Sequence, residues 1–403
     1  MNLLIYCWIY GFYAAFSKAE HSQKPPNFLL VVTDDQDVVL NGLVPMKNVQ
    51  NLLMKEGITF QNAFTTSPLC CPSRATILSG LYAHNHKTTN NSVSGNCYGY
   101  HWKKYVEPNA IPVTLQSNGY ETFFAGKYLN EYYTKAVPPG WNHFYGLHGN
   151  SRYYNYSLTE NGKVVNYTNE YLTDLLSEKL VKFLNEKHEK PFFAYVAPPA
   201  PHEPFTPADR HKNTFADVTA PRTPNFNIPS DCGSMKRTDE LDNTYIIYTS
   251  DNGYHIGQFA QPKDKRQPYE TDIRVPLVVR GPNIGRKVMS EVPVALVDLV
   301  PTVKDLAGGI TYGNEDGISI RKFMEFPNAI DKSFHRQLLI QYWGEGNLQS
   351  YSPECPWKRE DRLAQCHLNT DCHCTDSWNN TYACVRHFAY RTNRIYCEFK
   401  DNE

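Results

Sequence analysis

The stretch Asn27-Phe-Leu-Leu-Val-Val-Thr33 decides the fold, because it is a continuous apolar run rich in β-branched residues. Such a run is typical of a parallel strand that is buried on both faces. It leads directly into Asp34 and Asp35. Open α/β sheets bind ligands at the carboxyl ends of their strands, and adjacent carboxylates are tolerated mainly when a cation holds them. We therefore predict a cation site at this strand end; an exposed acidic turn is the alternative.

A second stretch, Ser67-Pro-Leu-Cys-Cys-Pro-Ser-Arg-Ala-Thr-Ile-Leu-Ser-Gly80, combines two adjacent cysteines, a proline and an arginine. Pro72 suits the first position of a helix that Gly80 can end. Cys70 is then expected just ahead of the helix, where the helix dipole and the Arg74 guanidinium favour an anion or an activated nucleophile. A structural disulfide or a buried thiol is the alternative for two neighbouring cysteines.

Three further apolar runs predict strands, and each one ends in polar residues. These residues are Lys127, which follows Gly126; His202, in a proline-rich loop; and the pair Asp251 and Asn252. A lysine at a strand end is a candidate anion ligand, and a histidine held in a stiff loop is a candidate acid or base. The oxygen ligands that end two of the predicted strands suit Ca²⁺ or Mg²⁺ rather than zinc.

The other predicted elements complete an α/β pattern. Helices are predicted over residues 46–56, 168–190 and 294–307, and strands over 58–64, 275–282 and 338–342. The fold class is therefore α/β, with a mostly parallel central sheet flanked by helices and a smaller Cys-rich C-terminal subdomain. Residues 205–242 show no helix with an apolar face, although a parallel crossover normally carries one, so we predict a long polar loop there.

Composition excludes some classes of partner. The 403 residues can bury a large core. Their 40 basic and 41 acidic side chains give a net charge of −1, so no field attracts nucleic acid or an anionic membrane. An anionic substrate must then be bound by a local cluster of cations, and the basic loop around Lys265 is a candidate to close over it.

Several features predict export. Residues 1–19 are similar to a secretory signal peptide, and their apolar run is too short to span a bilayer comfortably, so no membrane span is expected after its removal. Sequons make Asn90, Asn155, Asn166 and Asn379 candidate glycosylation sites. Cysteines are concentrated near the C-terminus, at positions 355, 366, 372, 374, 384 and 397. We predict disulfides there, with a zinc site as the alternative.

Taken in chain order, these motifs resemble those of the sulfatase family, which has an alkaline-phosphatase-like α/β fold. The resemblance covers nearly the whole mature chain, and its most specific element is Cys70-Cys-Pro-Ser-Arg74 followed by Leu78 and Gly80. It is strongest to the branch that acts on N-acetylglucosamine 6-sulfate. The residues that indicate this branch are His84-Asn-His86, Gly126-Lys-Tyr-Leu-Asn130, Thr249-Ser-Asp-Asn-Gly-Tyr-His255 and Asn379-Asn-Thr-Tyr-Ala-Cys-Val385.

The resemblance implies that a formylglycine-generating enzyme oxidises Cys70 to Cα-formylglycine, whose hydrate attacks sulfur. Cys71 is then the structural cysteine, with Cys97 as its expected partner. One Ca²⁺ ion is implied, with these ligands: Asp34, Asp35, modified Cys70, Asp251 and Asn252. Arg74, Lys127 and Lys265 would neutralise the sulfate, and His202 or Lys265 would protonate the leaving oxygen. His86 and His255 are implied as substrate ligands.

The implied function is hydrolysis of the 6-O-sulfate of N-acetylglucosamine 6-sulfate units in heparan sulfate or keratan sulfate, in the lysosome or after secretion. Residues 25–325 would form the catalytic domain and residues 335–403 the C-terminal subdomain. Compared with the same branch, the chain is expected to lack a segment near residues 226–243 and to stop early. The alternatives are an endo-acting extracellular glucosamine-6-sulfatase, a phosphatase or phosphonate hydrolase of the same fold, and an inactive glycan-binding secreted protein left by a splice form or a diverged copy.

Overall fold

The computed structural model describes residues 24–214, 239–261, 263–310, 313–327, 333–344 and 380–400. The predictions for the signal peptide, for most of the segment 226–243, for the cysteines at 355 to 374 and for Asn379 lie outside these residues. The strands β1 to β13 are Asn27–Thr33, Ile58–Phe64, Glu121–Gly126, His143–Leu147, Tyr156–Glu160, Lys163–Tyr167, Phe192–Ala197, Thr244–Ser250, Leu277–Arg280, Val288–Ala295, His335–Tyr342, Tyr382–Ala389 and Thr392–Phe399.

The described helices are mostly short. The α-helices α1 to α7 are Cys70–Ser79, Ala83–His86, Ile111–Ser117, Leu172–Leu184, Glu270–Ile273, Leu299–Leu306 and Arg321–Glu325. Single π or 3₁₀ turns are Val49–Met54, Val93–Gly95, Trp102–Val106, Glu107–Asn109, Asp209–His211, Asp239–Asn243, Gln258–Ala260 and Leu296–Asp298. Among the described residues, none of the helices has both the length and the apolar character that a bilayer crossing requires.

A ten-stranded mixed sheet forms the main body, in the order β10-β2-β9-β8-β1-β7-β3-β4-β5-β6. The strand β1 lies in its interior and pairs in parallel with both β7 and β8. The pairs β3 with β7, β3 with β4 and β10 with β2 are also parallel, whereas the other four pairings are antiparallel. The α/β prediction is confirmed. The carboxyl ends of β1, β3, β7 and β8 lie side by side at one end of the sheet.

Both faces of the sheet centre are covered, which explains the continuous apolar run of β1. On one face, Leu172, Leu176 and Phe183 of α4 are buried in a cluster with Phe123 and Leu29. The other face carries the largest cluster, to which α1, α3 and α6 contribute. Burial of each large apolar side chain contributes on the order of 1.5–3 kcal/mol.

The strand β9 departs from the predicted parallel pattern, because it runs antiparallel to both β8 and β2. A parallel crossover needs a dozen or more residues that return along a face of the sheet. In its described residues, the segment between β8 and β9 instead contains the 3₁₀ turn Gln258–Ala260, the four-residue helix α5 and loops at the carboxyl end of the sheet. The chain therefore re-enters the sheet from the edge at which it left.

The predicted helix over residues 294–307 is partly wrong. Val294 and Ala295 end the strand β10, and the helix α6 spans only Leu299–Leu306. Pro293 lies within β10 at a shift of the register against β2, a position where the sheet tolerates a missing N–H donor. Because proline is rare inside strands, a run that contains it is not predicted as a strand from its sequence pattern.

A separate three-stranded antiparallel sheet lies at the C-terminal end of the described chain, in the order β11-β12-β13. The run at 338–342, which the sequence predicts as a strand of the parallel α/β pattern, forms β11 and pairs antiparallel with β12 in this separate sheet, within the predicted C-terminal subdomain. Cys384 and Cys397 are paired across β12 and β13 by a disulfide, which confirms the disulfide prediction for these two cysteines. Tyr342 and Phe388 pack against Phe64 of the main body.

Candidate active site

The strand ends bring the predicted polar residues to one place beside α1. The residues concerned are all buried, with at most 4% of their surface exposed: Asp34, Asp35, Cys70, Arg74, Lys127, His202, Asp251, Asn252 and Lys265. Three of these residues are carboxylates and three are permanent or near-permanent cations. Buried charges are tolerated only when they are paired, so the contacts of each residue decide what the cluster can bind.

Asp34 is the most heavily paired carboxylate. Its Oδ2 accepts hydrogen bonds from Lys127 Nζ at 2.7 Å and from the Ser151 hydroxyl at 2.8 Å. Arg74 Nη2 lies 3.3 Å from Oδ1. Burial alone would raise the pKa of Asp34, but Lys127, His202 and Arg74 together hold this pKa well below its usual range. Asp34 therefore stays ionised at neutral and at acidic pH.

Asp35 connects the cluster to the proposed proton donors. Its backbone has a φ of 63°, a conformation that aspartate tolerates better than most residues and that is frequent at functional sites. Oδ1 accepts a hydrogen bond from Asn252 Nδ2 at 2.6 Å, and Oδ2 accepts one from Lys265 Nζ at 2.8 Å. The Cys70 thiol is 4.0 Å from Oδ1.

Asp251 and Asn252, at the end of β8, complete the acidic side. Asp251 Oδ2 accepts a hydrogen bond from Arg74 Nε at 2.9 Å, and its Oδ1 accepts one from the Asp35 backbone at 3.1 Å. Burial and the carboxylate of Asp34 raise the pKa of Asp251. The carboxylates thus repel one another in a desolvated site, and a bound cation would relieve that repulsion.

Cys70 begins the helix α1, so the predicted start at Pro72 is wrong by two residues. Gly80 ends the helix as predicted, with a φ of 72°. Cys71 forms a disulfide with Cys97, which confirms that pairing and leaves Cys70 as a buried free thiol. Burial raises the pKa of Cys70 despite the nearby Lys127 and Lys265, so the thiol stays protonated and is a poor nucleophile.

Lys127 reaches the cluster because the preceding residue is a glycine. Gly126 has a φ of 121°, and a Cβ atom there would lie 2.0 Å from the carbonyl oxygen of Ala197. This close approach allows β3 and β7 to end side by side. The Lys127 carbonyl also accepts a hydrogen bond from Arg74 Nη1 at 2.8 Å, which ties the end of β3 to α1.

His202 and Lys265 face each other. Lys265 Nζ lies 3.3 Å from His202 Nε2, and His202 Nε2 lies 3.6 Å from Asp35 Oδ2. His202 Nδ1 lies 2.6 Å from the carbonyl oxygen of Glu203, which can only accept, so Nδ1 carries a proton. Nε2 then accepts from the lysine, and the pair holds a proton that is positioned for transfer.

The donor set fits a hard divalent cation. Ligand atoms of Asp34, Asp35, Cys70 and His202 lie within 4.8 Å of one another. Within the described part of the chain, Asp34 Oδ1 and Asn252 Oδ1 are buried and accept no hydrogen bond. Oxygen atoms that are buried and unsatisfied in an acidic site are suited to Ca²⁺ or Mg²⁺.

His86 does not have the geometry of a substrate ligand. It is fully buried, its Nδ1 accepts a hydrogen bond from the Thr88 backbone at 3.0 Å, and its Nε2 lies 3.1 Å from the Thr76 hydroxyl. Both ring nitrogens are therefore engaged, and the role predicted for this residue is not supported. Burial lowers the pKa of His86 to about 3, because the charged form of the ring would lose its hydration, and the nearby His84 adds to this effect.

The burial of a neutral His86 ring predicts that the folded protein loses stability in acid. The folded state resists protonation of His86 while the unfolded chain accepts a proton below its ordinary pKa of 6.5. The free energy of unfolding should then fall by about 1.4 kcal/mol per pH unit below that value from this residue alone. We expect His86→Asn, whose side-chain oxygen can still accept from Thr88, to have a lower Tm at pH 7.5 but a smaller decrease in Tm between pH 7.5 and pH 5.

Melting curves of both proteins at the two pH values provide the measurement. His211→Asn, a change at an exposed histidine, should leave the pH dependence of Tm as in the wild type. An equal decrease in Tm for wild type and His86→Asn would contradict the prediction.

His255 has a different environment, with one ring nitrogen held and the other open. Its Nδ1 lies 2.9 Å from Asp272 Oδ1. Its Nε2 is buried and has no hydrogen-bond partner among the described residues. His255 therefore remains a candidate substrate ligand.

The predicted glycosylation sites differ in accessibility. Asn155 and Asn166 are exposed, near the antiparallel pair β5 and β6. Asn90 is partly buried, and its side-chain oxygen accepts hydrogen bonds from the Ser92 backbone at 2.9 Å and hydroxyl at 2.7 Å. The Asn90 side chain is therefore less accessible to glycosylation than those of Asn155 and Asn166.

Sequence patterns missed two residues of the site. Ser151 donates to Asp34, and Asp272 holds His255. Neither belongs to a recognisable local motif, because Ser151 lies in a loop and Asp272 lies in the four-residue helix α5. Only their contacts with Asp34 and His255 in the folded structure identify them.

A buried cluster that balances carboxylates with cations around one reactive position, at the carboxyl end of the strands of an α/β sheet, is suited to the hydrolysis of an anionic ester. The sulfatase family model matches residues 26–310. The human N-acetylglucosamine-6-sulfatase is 43% identical over 94% of this chain and 78% of its own, and the goat enzyme is 42% identical over 96% and 78%. The chain belongs to the sulfatase family, whose members hydrolyse sulfuric esters.

Solved structures agree on the fold. BT4656, solved in complex with its substrate D-glucosamine-2-N,6-O-disulfate, superposes with a TM-score of 0.70 and covers 94% of this chain and 92% of that one. Its sequence identity is 21%, so this likeness concerns the fold alone.

Proposed function

We propose that this protein removes the 6-O-sulfate from N-acetylglucosamine 6-sulfate units of heparan sulfate or keratan sulfate. The observation that carries the proposal is the buried set of Arg74, Lys127 and Lys265 around Cys70, which can neutralise a sulfate ester. Identity of 42–43% over most of the chain to N-acetylglucosamine-6-sulfatases supports the choice of sugar.

The electrostatics suit a sulfate ester once the expected groups are present. Three carboxylates and three cations balance within the protein, so one divalent ion would leave a local excess of two positive charges. A sulfate monoester contributes one negative charge, and an ionising nucleophile contributes the second. Opposite charges placed in a desolvated site stabilise the developing charge of the transition state without reorganisation.

A Ca²⁺ ion, when bound by Asp34, Asp35, Asp251, Asn252 and residue 70, would supply positive charge next to the nucleophile. The modified form of Cys70, Cα-formylglycine, would supply a hydrated aldehyde that can both attack sulfur and later expel sulfate. The protonated thiol lacks both properties, which supports the proposed modification and a formylglycine-generating enzyme as a maturation partner. Arg74 holds the cluster together through Asp34, Asp251 and the Lys127 carbonyl.

The leaving sugar oxygen needs a proton, and the pair of Lys265 and His202 holds one. In the observed arrangement Lys265 donates and His202 Nε2 accepts, because His202 Nδ1 is committed to a backbone carbonyl. We assign Lys265 as the group that delivers the proton and His202 as its immediate partner. Lys127 is bound to Asp34 and is placed to contact sulfate rather than to transfer a proton.

The alternatives are less well supported. An inactive glycan-binding protein would not need a buried, charge-balanced cluster, and the predicted metal ligands and catalytic cations lie together in one such cluster. An endo-acting enzyme would need a basic surface for a long polyanion, whereas the chain has a net charge of −1 and no long basic insert. The Cys-x-Pro-Ser-Arg element argues against a phosphatase or phosphonate hydrolase.

The disulfides support a proposal for the compartment. Two disulfides in the described residues, Cys71 with Cys97 and Cys384 with Cys397, fit the oxidising secretory pathway. We propose a lysosomal address, or secretion, with sulfated glycosaminoglycans as the substrate.

The test is sulfate release from defined sugars by protein produced together with the formylglycine-generating enzyme. N-acetylglucosamine 6-sulfate should be hydrolysed, and N-acetylglucosamine 3-sulfate should not. Release from the non-reducing end of a 6-sulfated oligosaccharide, and not from internal units, would support exo action. Absence of sulfate release from every sugar tested, by protein that carries the modification, would refute the proposal.

A further inference from the structure

Tyr254 and His255 follow the metal-ligand candidates Asp251 and Asn252 after one glycine, and they carry polar atoms that have no assigned partner. Their exposed fractions are 6% and 2%. Neither the Tyr254 hydroxyl nor His255 Nε2 has a hydrogen-bond partner in the described portion of the chain. A buried polar atom without a partner costs roughly 1–3 kcal/mol, so two such atoms on adjacent residues indicate a place where a ligand binds.

Asp272 fixes the state of the His255 ring. Both carboxylate oxygens of Asp272 face His255 Nδ1, at 2.9 and 3.1 Å. The same carboxylate also accepts hydrogen bonds from the Gln267 backbone at 2.9 Å and from the Thr271 hydroxyl at 2.8 Å. Because a carboxylate accepts, Nδ1 must carry the proton. A neutral His255 ring then presents a lone pair at Nε2, and Asp272 keeps it in that tautomer.

The backbone around these residues is tightly held. The Gly253 N–H donates to the Asp272 carbonyl at 2.8 Å, and a Cβ atom on Gly253 would lie 1.9 Å from the Thr271 carbonyl oxygen. His255 and Asp264 exchange two backbone hydrogen bonds, of 2.7 and 3.0 Å. The segment that carries Tyr254 and His255 is thereby fixed between α5 and the residue that precedes Lys265.

The two side chains adjoin the proposed proton donor. Lys265 Nζ lies 5.8 Å from the centre of the Tyr254 ring, and the rings of Tyr254 and His255 are stacked with centres 6.4 Å apart. Since Lys265 is assigned to the leaving oxygen, the sugar that carries the sulfate must lie on this side of the cluster.

We propose that Tyr254 and His255 together bind a hydroxyl group of the sugar ring that carries the sulfate, with Asp272 as the positioning residue for His255. A sugar hydroxyl can donate to Nε2 and accept from the tyrosine hydroxyl at the same time, which satisfies both atoms. This inference rests on the proposed function and extends it, because it assigns residues that select the sugar rather than the sulfate. A site built to bind a hydroxyl discriminates strongly against analogues that lack it.

The experiment combines protein variants with modified substrates. Wild type, Tyr254→Phe, Asp272→Asn and Asp272→Glu are assayed on N-acetylglucosamine 6-sulfate and on its 3-deoxy and 4-deoxy analogues. We expect Tyr254→Phe and Asp272→Asn each to lower kcat/KM on the parent sugar about 10-fold, the size of one lost hydrogen bond. On the analogue that lacks the bound hydroxyl, neither variant should be slower than the wild type, and Asp272→Glu should recover part of the loss on the parent sugar.

A matched control is Tyr156→Phe, which also removes a buried tyrosine hydroxyl without a described partner, but in the strand β5. Its kcat/KM should equal that of the wild type on all three substrates. The inference is overturned if Tyr254→Phe and Asp272→Asn lower kcat/KM by the same factor on the parent and on both analogues, because that result indicates a structural role. It is also overturned if both variants leave kcat/KM on the parent sugar unchanged. Failure of the wild type to release sulfate from the parent sugar would instead refute the proposed function.

Discussion

Replacement of Cys70 by alanine should abolish sulfate release while the protein remains folded. The side chain is buried at the centre of the cluster, 4.0 Å from Asp35, and no other nucleophile is assigned to the reaction. Loss of a nucleophile lowers kcat by roughly 10⁴-fold or more in hydrolases. Sulfate release from N-acetylglucosamine 6-sulfate and the Tm of the variant are the two measurements.

The neighbouring cysteine provides the control for this change. Cys71→Ala combined with Cys97→Ala removes the disulfide next to the site, and it should lower the Tm by loss of a cross-link while sulfate release persists. The mass of the peptide that contains residue 70 should be lower than that of the thiol form in wild-type protein made with the modifying enzyme. Turnover by Cys70→Ala, or an unmodified thiol in active protein, would show that the nucleophile is misassigned.

Removal of divalent cations should inactivate the enzyme, and Ca²⁺ should restore it. Ca²⁺ should also raise the Tm of the wild type, because a ligand that binds only the folded state at 100 times its Kd stabilises that state by about 2.7 kcal/mol. Asp35→Asn should lose the Ca²⁺-dependent rise in Tm. Its activity should fall at least about 100-fold, since even changes beyond the direct metal ligands cost 10–100-fold.

Asp174→Asn makes the same chemical change at an exposed carboxylate, whose partner is Arg210. This variant should keep both the activity and the rise in Tm with Ca²⁺. A Ca²⁺-dependent rise in the Tm of Asp35→Asn equal to that of the wild type would contradict the assignment of Asp35 as a ligand. Full activity after removal of divalent cations would contradict the metal site itself.

Local sequence predicted the strands that build the site. β1, β3, β7 and β8 are apolar runs whose burial on both faces makes them recognisable without their partners. The edge strands were missed because their patterns are weak. β6, for example, is exposed at three of its five positions, and its pairing with β5 supplies the order that its composition does not.

Errors arose where a distant partner decides the outcome. β11 has the composition of a buried parallel strand, yet it pairs with β12, which lies beyond a long intervening segment. Pairing and burial of this kind depend on contacts that a local window cannot contain.

The sequence by itself determined which residue types stand at each strand end and in what order, because strand propensity and polar termini are local properties. The tertiary structure alone decided which charges meet. Lys265 binds Asp35 across 230 positions, and Arg74 binds Asp251 across 177. The energy of a buried ion pair depends on distance and desolvation, so only the folded chain decides which cation pairs with Asp34, Asp35 or Asp251. The tautomers of His202 and His255 are likewise fixed by partners that meet only in the folded chain.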